Sequence, residues 1–498
     1  MGRTKRLSLL GALASLAFAT ACDSFLDPSP SDVITPENFY KTSSDAVAAV
    51  NSVYQGTKWF YWLGFWYISD IATDDIFAAP RFGADGHRMS DYVFNATEWP
   101  LGSMWGGAYG IINRANAVLD RVPGITMDSA LRDRLLNEAR FLRALAYFNL
   151  VRCFGDVPLL EHEVKSLDGL RVSRTPLADV YAVIVSDLQQ AAAGLPASYT
   201  GSDLGRATSG AAQALLAKVY LTRGDWTNAA QTAGQVMSSG RYVLLANWKD
   251  IFKIATKIAN SESIFEINYD GVLDPGGGSV HTLFSLPSGF PGGDAYGLMT
   301  VAPSLENLFA AADKRGRNGT FIRSPYVDAL GDTVTWSDPP AALGPAFNKY
   351  LDETDFENMH TRAWARQAND WIVLRYADVL LMYAEAVNEG GTATAGTAEA
   401  ALNLVRTRAG IPTVSGLSQA AFRDSVRVDR RREFVFEGQR WFDLSRWGIL
   451  DSVMVAKTTE LQTVAPGETT VHGAPSNLLP IPQSERDINP NLTQNPGW

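Results

Sequence analysis

Apolar residues recur every three to four positions in several separate stretches. Leu135, Ala139, Leu142, Ala146 and Leu150 line one face of a predicted helix that stops at Gly155-Asp156. Trp371, Leu374, Ala377, Leu381 and Ala384 line another. Between them, residues 213–236 place Leu216, Ala217, Tyr220, Gly224, Ala229 and Ala233 at the spacings of a helix hairpin. The small residues let two helices approach, and the ring of Tyr220 fills the gap beside them. The outer two stretches repeat the theme with Ala144/Tyr147 and Ala384/Val387, and the last inserts Gly390 to Thr397 before a second helix over Ala398–Arg408. Three such units predict an all-α chain built from helix pairs.

The units are tetratricopeptide-like in their small/large alternation, but they are not contiguous, so a regular solenoid is not expected. A scaffold over about residues 105–240 and 365–448 is interrupted by a loop-rich insert at about 241–364. Asp274-Pro275-Gly276-Gly277-Gly278 and Pro291-Gly292-Gly293-Asp294 mark long loops there. Short strand-like runs at Ser263–Tyr269 and Thr333–Trp336 fit a few small hairpins. From residue 449 to the end the chain reads as an irregular tail, rich in Pro and Asn after Leu479.

Charge and composition narrow the function. The chain is 498 residues long with a formal charge of −10, and no basic tract offers a surface for nucleic acid. The N-terminus adds Arg3, Lys5 and Arg6, an apolar run from Leu7 to Ala21, and Phe18-Ala19-Thr20-Ala21-Cys22. The run is shorter than the ~20 residues of a membrane span, and small residues leading into a cysteine are the pattern of a bacterial lipoprotein cleavage site. Residues 1–21 are therefore expected to be a signal peptide and Cys22 the acylated first residue of the mature chain. Losing three bases and no acids takes the charge from −10 to about −13. Cys153, the other cysteine, is then expected to be a buried apolar filler.

Residues 430–448, RRREFVFEGQRWFDLSRWG, interleave charged side chains, among them Arg431, Arg432, Glu433, Glu437, Arg440, Asp443 and Arg446, with five large aromatics. The two sets are compatible if the helix is buried and its charges pair within the fold, for example Glu433 or Glu437 with Arg440. This segment closely resembles the C-terminal signature of the SusD/RagB family of outer-membrane nutrient-binding lipoproteins. Cys22-Asp23-Ser24-Phe25-Leu26-Asp27, the stretch Ser31 to Tyr40 and the closing segment after Leu479 resemble the same family. The resemblance implies a protein on the outer membrane that lies over a TonB-dependent β-barrel transporter of the SusC type. It would hand that partner oligomeric nutrients, most often glycans and in some relatives peptides, with no cofactor and no bond cleavage. Two other readings are a tetratricopeptide scaffold lipoprotein of outer-membrane assembly, which would lack the signature, and an all-helical glycoside hydrolase.

Catalytic motifs are absent: the histidines at 87, 162, 281, 360 and 472 are scattered, with no metal spacing, nucleophile elbow or phosphate loop. Asp74-Asp75 is the most conspicuous acidic pair, and a solvated loop or helix cap accounts for it. Aromatics are more telling. Trp59-Phe60-Tyr61-Trp62 and Phe65-Trp66-Tyr67 put seven rings into nine positions. On a helix they point all round, so some bury while others are free to stack on the CH faces of sugars, with Asp, Asn or Arg taking the hydroxyls. In SusD-like proteins the region between the first long helix and the Trp105…Asn116 segment commonly contributes to the ligand face. Trp62, Trp66, Asp75 and Arg81 are the candidates this implies, with Tyr296 of the glycine-rich loop and Trp336 added because their aromatics coincide with loops.

Overall fold

The structure is a computed structural model that describes residues 39–498, except 63, 167–170, 259, 272–283, 289, 291–294, 318, 329–330, 340–342, 353–367 and 466–472. Cys22 and the stretch before Phe39 lie outside the described residues.

Helices dominate, and side chains start them. Helix α1 covers Ser43–Trp62. Strand β1 (Ile76–Ala78) and the short helix α2 (Gly83–Ser90) follow. Next come α3 (Trp99–Arg121), α4 (Ser129–Phe154) and α5 (Leu177–Gly194). A hairpin of α6 (Ser209–Thr222) and α7 (Trp226–Ser238) completes the first half. Asp128, Thr208 and Asp225 each accept an amide hydrogen from the first turn of the helix they precede, at 2.8, 3.1 and 3.2 Å. Packing is sequential: α1 lies on α3, α3 on α4, α4 on α5, α5 on α6 and α6 on α7.

After α7 the chain leaves the helical stack and returns at α8 (Tyr376–Asn388), which packs directly on α7 and then on α9 (Ala398–Ala409). The helix pairs are thus contiguous in space although not in sequence. Strand β2 (Ser263–Ile267) pairs antiparallel with β8 (Trp371–Arg375), Ser263 opposite Arg375 and Ile267 opposite Trp371. That pairing closes the insert at its neck. It also corrects two readings of the pattern. The run at 263–269 is not part of a local hairpin, and Trp371 and Leu374 belong to a strand, with the helix starting at Tyr376.

Within the insert, β3 (Met299–Val301) pairs with β1, β4 (Phe321–Ile322) with β7 (Ala346–Phe347), and β5 (Tyr326–Val327) with β6 (Thr333–Val334). Only the last is the hairpin expected near Thr333. Leu286, Phe290, Ile322, Tyr326, Val334, Ala346 and Leu351 form a small core of their own there.

The C-terminal signature folds as α10 (Gln419–Phe434), a turn, and α11 (Arg440–Arg446), followed by α12 (Leu450–Val464) and α13 (Gln483–Ile488). Glu433, Phe434, Phe436 and Trp441 are all buried. The turn brings Gly438 to φ +69, and a Cβ there would sit 2.6 Å from Phe65 and 2.7 Å from Trp371. Only glycine combines that backbone with that proximity.

The signature's charges do pair within the fold, Arg430 and Arg446 with Asp443 of the same segment and several others with distant segments. Glu433 accepts from Arg315 at 2.9 Å, from Arg375 at 2.6 Å and from Arg408. Burial alone would raise its pKa, yet the three guanidiniums outweigh burial and hold the carboxylate well below its usual range. Glu437 takes both arms of Arg375, at 2.7 and 2.8 Å. Arg430 bridges Asp443 and Asp378, each at 2.9 Å. Arg440, expected to meet Glu433 or Glu437, instead forks onto Asp74 with two bonds of 2.8 Å. Cys153 is buried without a disulfide, as an apolar filler. Among the described residues no helix is long and apolar enough to cross a membrane.

Candidate ligand face

The seven-ring cluster sorts by depth. Phe60, Tyr61, Phe65 and Trp66 face inward and are buried, Trp62 and Tyr67 are half-buried, and Trp59 is 44% exposed. Trp59 and Trp62, three residues apart on α1, meet edge to face at 5.6 Å. Beyond α1 a wide helical turn runs over Tyr67–Ile71, closed by the Ala72 amide donating to the Tyr67 carbonyl at 3.2 Å. This turn tips Tyr67 outward onto Trp99, 4.9 Å away at the start of α3, and onto Phe82 at 5.6 Å. Trp99 is 39% exposed.

Next to those rings, β1 and the turn at Pro80–Phe82 meet the insert. Arg81 is exposed, and its Nη1 donates to Ser288 Oγ at 2.5 Å and to Asp338 Oδ2 at 3.1 Å. Two insert segments that are 50 residues apart in sequence are thereby gathered onto one guanidinium. Tyr296, half-buried, stacks on Phe284 at 5.9 Å, and Phe284 stacks on Trp66 at 5.7 Å. Trp336, also half-buried, leans on Phe290 at 6.2 Å, and its amide donates to Ser324 Oγ at 3.1 Å. Exposed and half-exposed rings therefore lie on the segments that carry or neighbour Arg81 and its two partners, the composition of a sugar-stacking surface.

Of the residues expected from sequence, Arg81 bonds Asp338, two residues after Trp336, Tyr296 precedes Gly297, which packs on Ser288 and Asp338, and Trp62 stands with Trp59 at the end of α1. Trp66 and Asp75 require correction. Trp66 is fully buried beneath Phe284 and Phe436, so neither of its faces is open to a ligand. Asp75 is buried, with Oδ1 accepting from Arg431 Nε at 2.6 Å. Asp74 beside it is equally enclosed, between Arg431 at 2.9 Å and Arg440 at 2.8 Å. Burial opposes its ionisation, but those two cations dominate and lower its pKa. Asp74-Asp75 is thus an internal clamp between β1 and the C-terminal signature, not a solvated loop.

Trp99, Ser288 and Asp338 were not singled out from sequence. Trp99 sits before Pro100 at a helix start, a place where a large ring has little helix behind it to pack on. Nothing in the pattern marks Ser288 or Asp338. Among the described residues no group of His, Cys, Asp and Glu has the arrangement of a metal site.

Known proteins share this fold along most of the chain. A family model described as the SusD family matches residues 341–498, and one described as starch-binding associating with outer membrane matches residues 36–221. SusD-like protein P2 of Formosa agariphila is 28% identical over 500 residues, covering 95% of this chain and 96% of the relative. Among solved structures, a laminarin-binding SusD-like protein superposes with a TM-score of 0.76 at 27% identity, covering 92% of this chain and 100% of the other. Surface glycan-binding protein A from Bacteroides uniformis does so with a TM-score of 0.74 at 26% identity, with the same coverage. The two matched regions hold the helix pairs that begin the stack and the charged-aromatic signature that locks it, and on both the chain matches the SusD/RagB family.

Proposed function

We propose that this protein is a cell-surface lipoprotein that captures oligosaccharides and passes them to a TonB-dependent outer-membrane transporter of the SusC type, without cleaving them. The observation that carries the ligand reading is that Arg81 bonds Ser288 and Asp338 beside chain segments that bear the Tyr67–Trp99 ring pair, Tyr296 and Trp336. The rings supply flat apolar surfaces, and Arg81, Ser288 and Asp338 supply hydroxyl partners held in place by their own bonds. Relatives described as binding laminarin or surface glycans share the fold over nine-tenths of the chain, which supports a glycan ligand. The insert from about 241 to 364 serves as the capping region that completes the face, and the helix pairs serve as its frame. Acyl anchoring at Cys22 would keep the face at the outer membrane, next to the transporter.

Affinity electrophoresis and calorimetry with a panel of β-glucans, starch and mannans test this reading. The protein is expected to retain at least one glycan. Trp99→Ala and Arg81→Ala are each expected to weaken that binding about tenfold or more with the melting temperature preserved, since a lost stack or charged hydrogen bond is worth ~1–3 kcal/mol. Unchanged affinity in both variants would remove the face from consideration. Retention of peptides in place of every glycan would move the ligand class, and release of reducing ends would make the protein a hydrolase.

A further inference from the structure

A second concavity lies where the loops before α6 and after α7 meet β2, and nothing in the ligand face accounts for it. It encloses about 210 Å³. That is room for several waters, and for at least one pyranose ring. Tyr199 and Tyr242, both half-buried, turn ring surface toward it, and Ser198, Thr208 and Asn260 add hydroxyl and amide groups.

The charges are what distinguish it. Arg206 is fully engaged, donating to Asp203 at 2.7 Å, Glu138 at 2.9 Å and Asn51 at 2.8 Å. Arg241 at the rim is not. Its exposed guanidinium has one polar partner among the described residues, the Ala197 carbonyl at 3.4 Å, and no carboxylate. Glu266 closes the floor, accepting from the Ile258 amide at 3.1 Å and the Asn260 side chain at 3.5 Å. Burial, reinforced by Asp370, raises its pKa, which weakens the repulsion this floor would offer an anion. Ile258, which also lines the cleft, is held at φ +52, a backbone that a β-branched residue adopts only under constraint.

We propose that this cleft is a second ligand site that takes a single uronic-acid residue, its carboxylate on Arg241, its ring against Tyr242 and Tyr199, and its hydroxyls on the polar wall. The site is separate from the ligand face. Asn51 and Tyr54 of α1 bind the cleft's back wall through Arg206 and Ala207, and they precede Trp62 by roughly 12–17 Å of helix at 1.5 Å per residue. The inference does not rest on the glycan reading of that face.

Calorimetry of the full-length protein at pH 7 with sodium glucuronate, sodium galacturonate and glucose tests it. The expected result is saturable binding of a uronate, at least about tenfold tighter than glucose, as for a charge-assisted contact. Arg241→Gln, an exposed position that leaves the fold untouched, should lose about tenfold in uronate affinity. Arg81→Ala should leave that affinity unchanged, whatever it does to polymer binding. Absence of saturable uronate binding, equal affinity for glucose, equal uronate affinity in Arg241→Gln, or loss in Arg81→Ala would each overturn the proposal.

Discussion

Single side chains in this protein carry tertiary structure to an unusual degree, and Trp441 and Asp70 show how. Trp441 is fully buried, with its indole N–H donating to the Tyr92 hydroxyl at 3.1 Å. Trp441→Ala is expected to destabilise by about 3–5 kcal/mol, the range for removing a large buried ring, read as a fall in denaturant midpoint. A variant that kept its midpoint but lost glycan would instead place the residue on the ligand face. Asp70 is buried on the wide turn behind Tyr67, accepting from the Gly438 amide at 3.2 Å and the Ser69 hydroxyl at 3.0 Å. Burial outweighs those bonds and pushes its pKa up to about 8. In the unfolded chain the same carboxyl titrates near ~3.9, so between these values the folded state holds the extra proton. Stability from this group is therefore full below pH ~4 and is lost as pH rises towards 8, at no more than ~1.4 kcal/mol per pH unit. Asp70→Asn should flatten that slope, so its stability relative to the parent rises from pH 5 to 7.5. Parallel pH profiles for the two proteins would mean that Asp70 is ionised in the fold.

Elements are tied to each other chiefly by charge pairs across long stretches of chain. The Asp74–Arg440 and Asp75–Arg431 pairs fasten the loop before β1 to α10 and α11. Since β1 leads directly into the turn that presents Arg81, the clamp also fixes one edge of the ligand face. Arg440→Ala strands part of a buried carboxylate's charge and is expected to cost about 3–5 kcal/mol. Glycan affinity should fall as well, even at temperatures where the variant is fully folded, because β1 loses an anchor. Replacing Asp74 and Arg440 together with Asn and Gln should restore part of the stability, and a double variant no better than Arg440→Ala would argue against a direct pair. These long-range ties explain what was legible beforehand. Helices with a three-to-four-residue period, such as α4 and the α6–α7 hairpin, announce themselves locally. The β2–β8 pairing joins residues about a hundred positions apart, and Arg440 has acidic neighbours at helical spacing as well as its true partner 366 residues away. Local spacing cannot rank those partners. Arg81, Tyr296 and Trp336 were legible as aromatics or cations in loops, whereas the difference between Trp66 and Trp99 is one of depth, which only the assembled core decides.

Over the whole molecule, one helical stack and one loop-rich insert meet along the ligand face, and the insert's neck returns the chain to the stack. That plan explains how α8 packs on α7 across more than a hundred intervening residues. It leaves attachment to the membrane to chemistry elsewhere, for among the described residues no helix is long and apolar enough to span a bilayer. The chain carries a formal charge of −10, so net electrostatic attraction to anionic lipid is disfavoured as well. Acylation at Cys22, the anchor proposed above and outside the described residues, would meet that need. A single acyl chain holds a protein only marginally, and two or three make the attachment stable. Cys22→Ser, which keeps the small-residue run Ala19-Thr20-Ala21 but removes the thiol, should move the protein from the membrane pellet to the soluble fraction. Glycan affinity of the released protein should be unchanged, because the stack, the insert and the Arg81 face are all built from residues after 39. Retention of Cys22→Ser in the pellet after a high-salt wash would show that the anchor is not an acyl group on this cysteine.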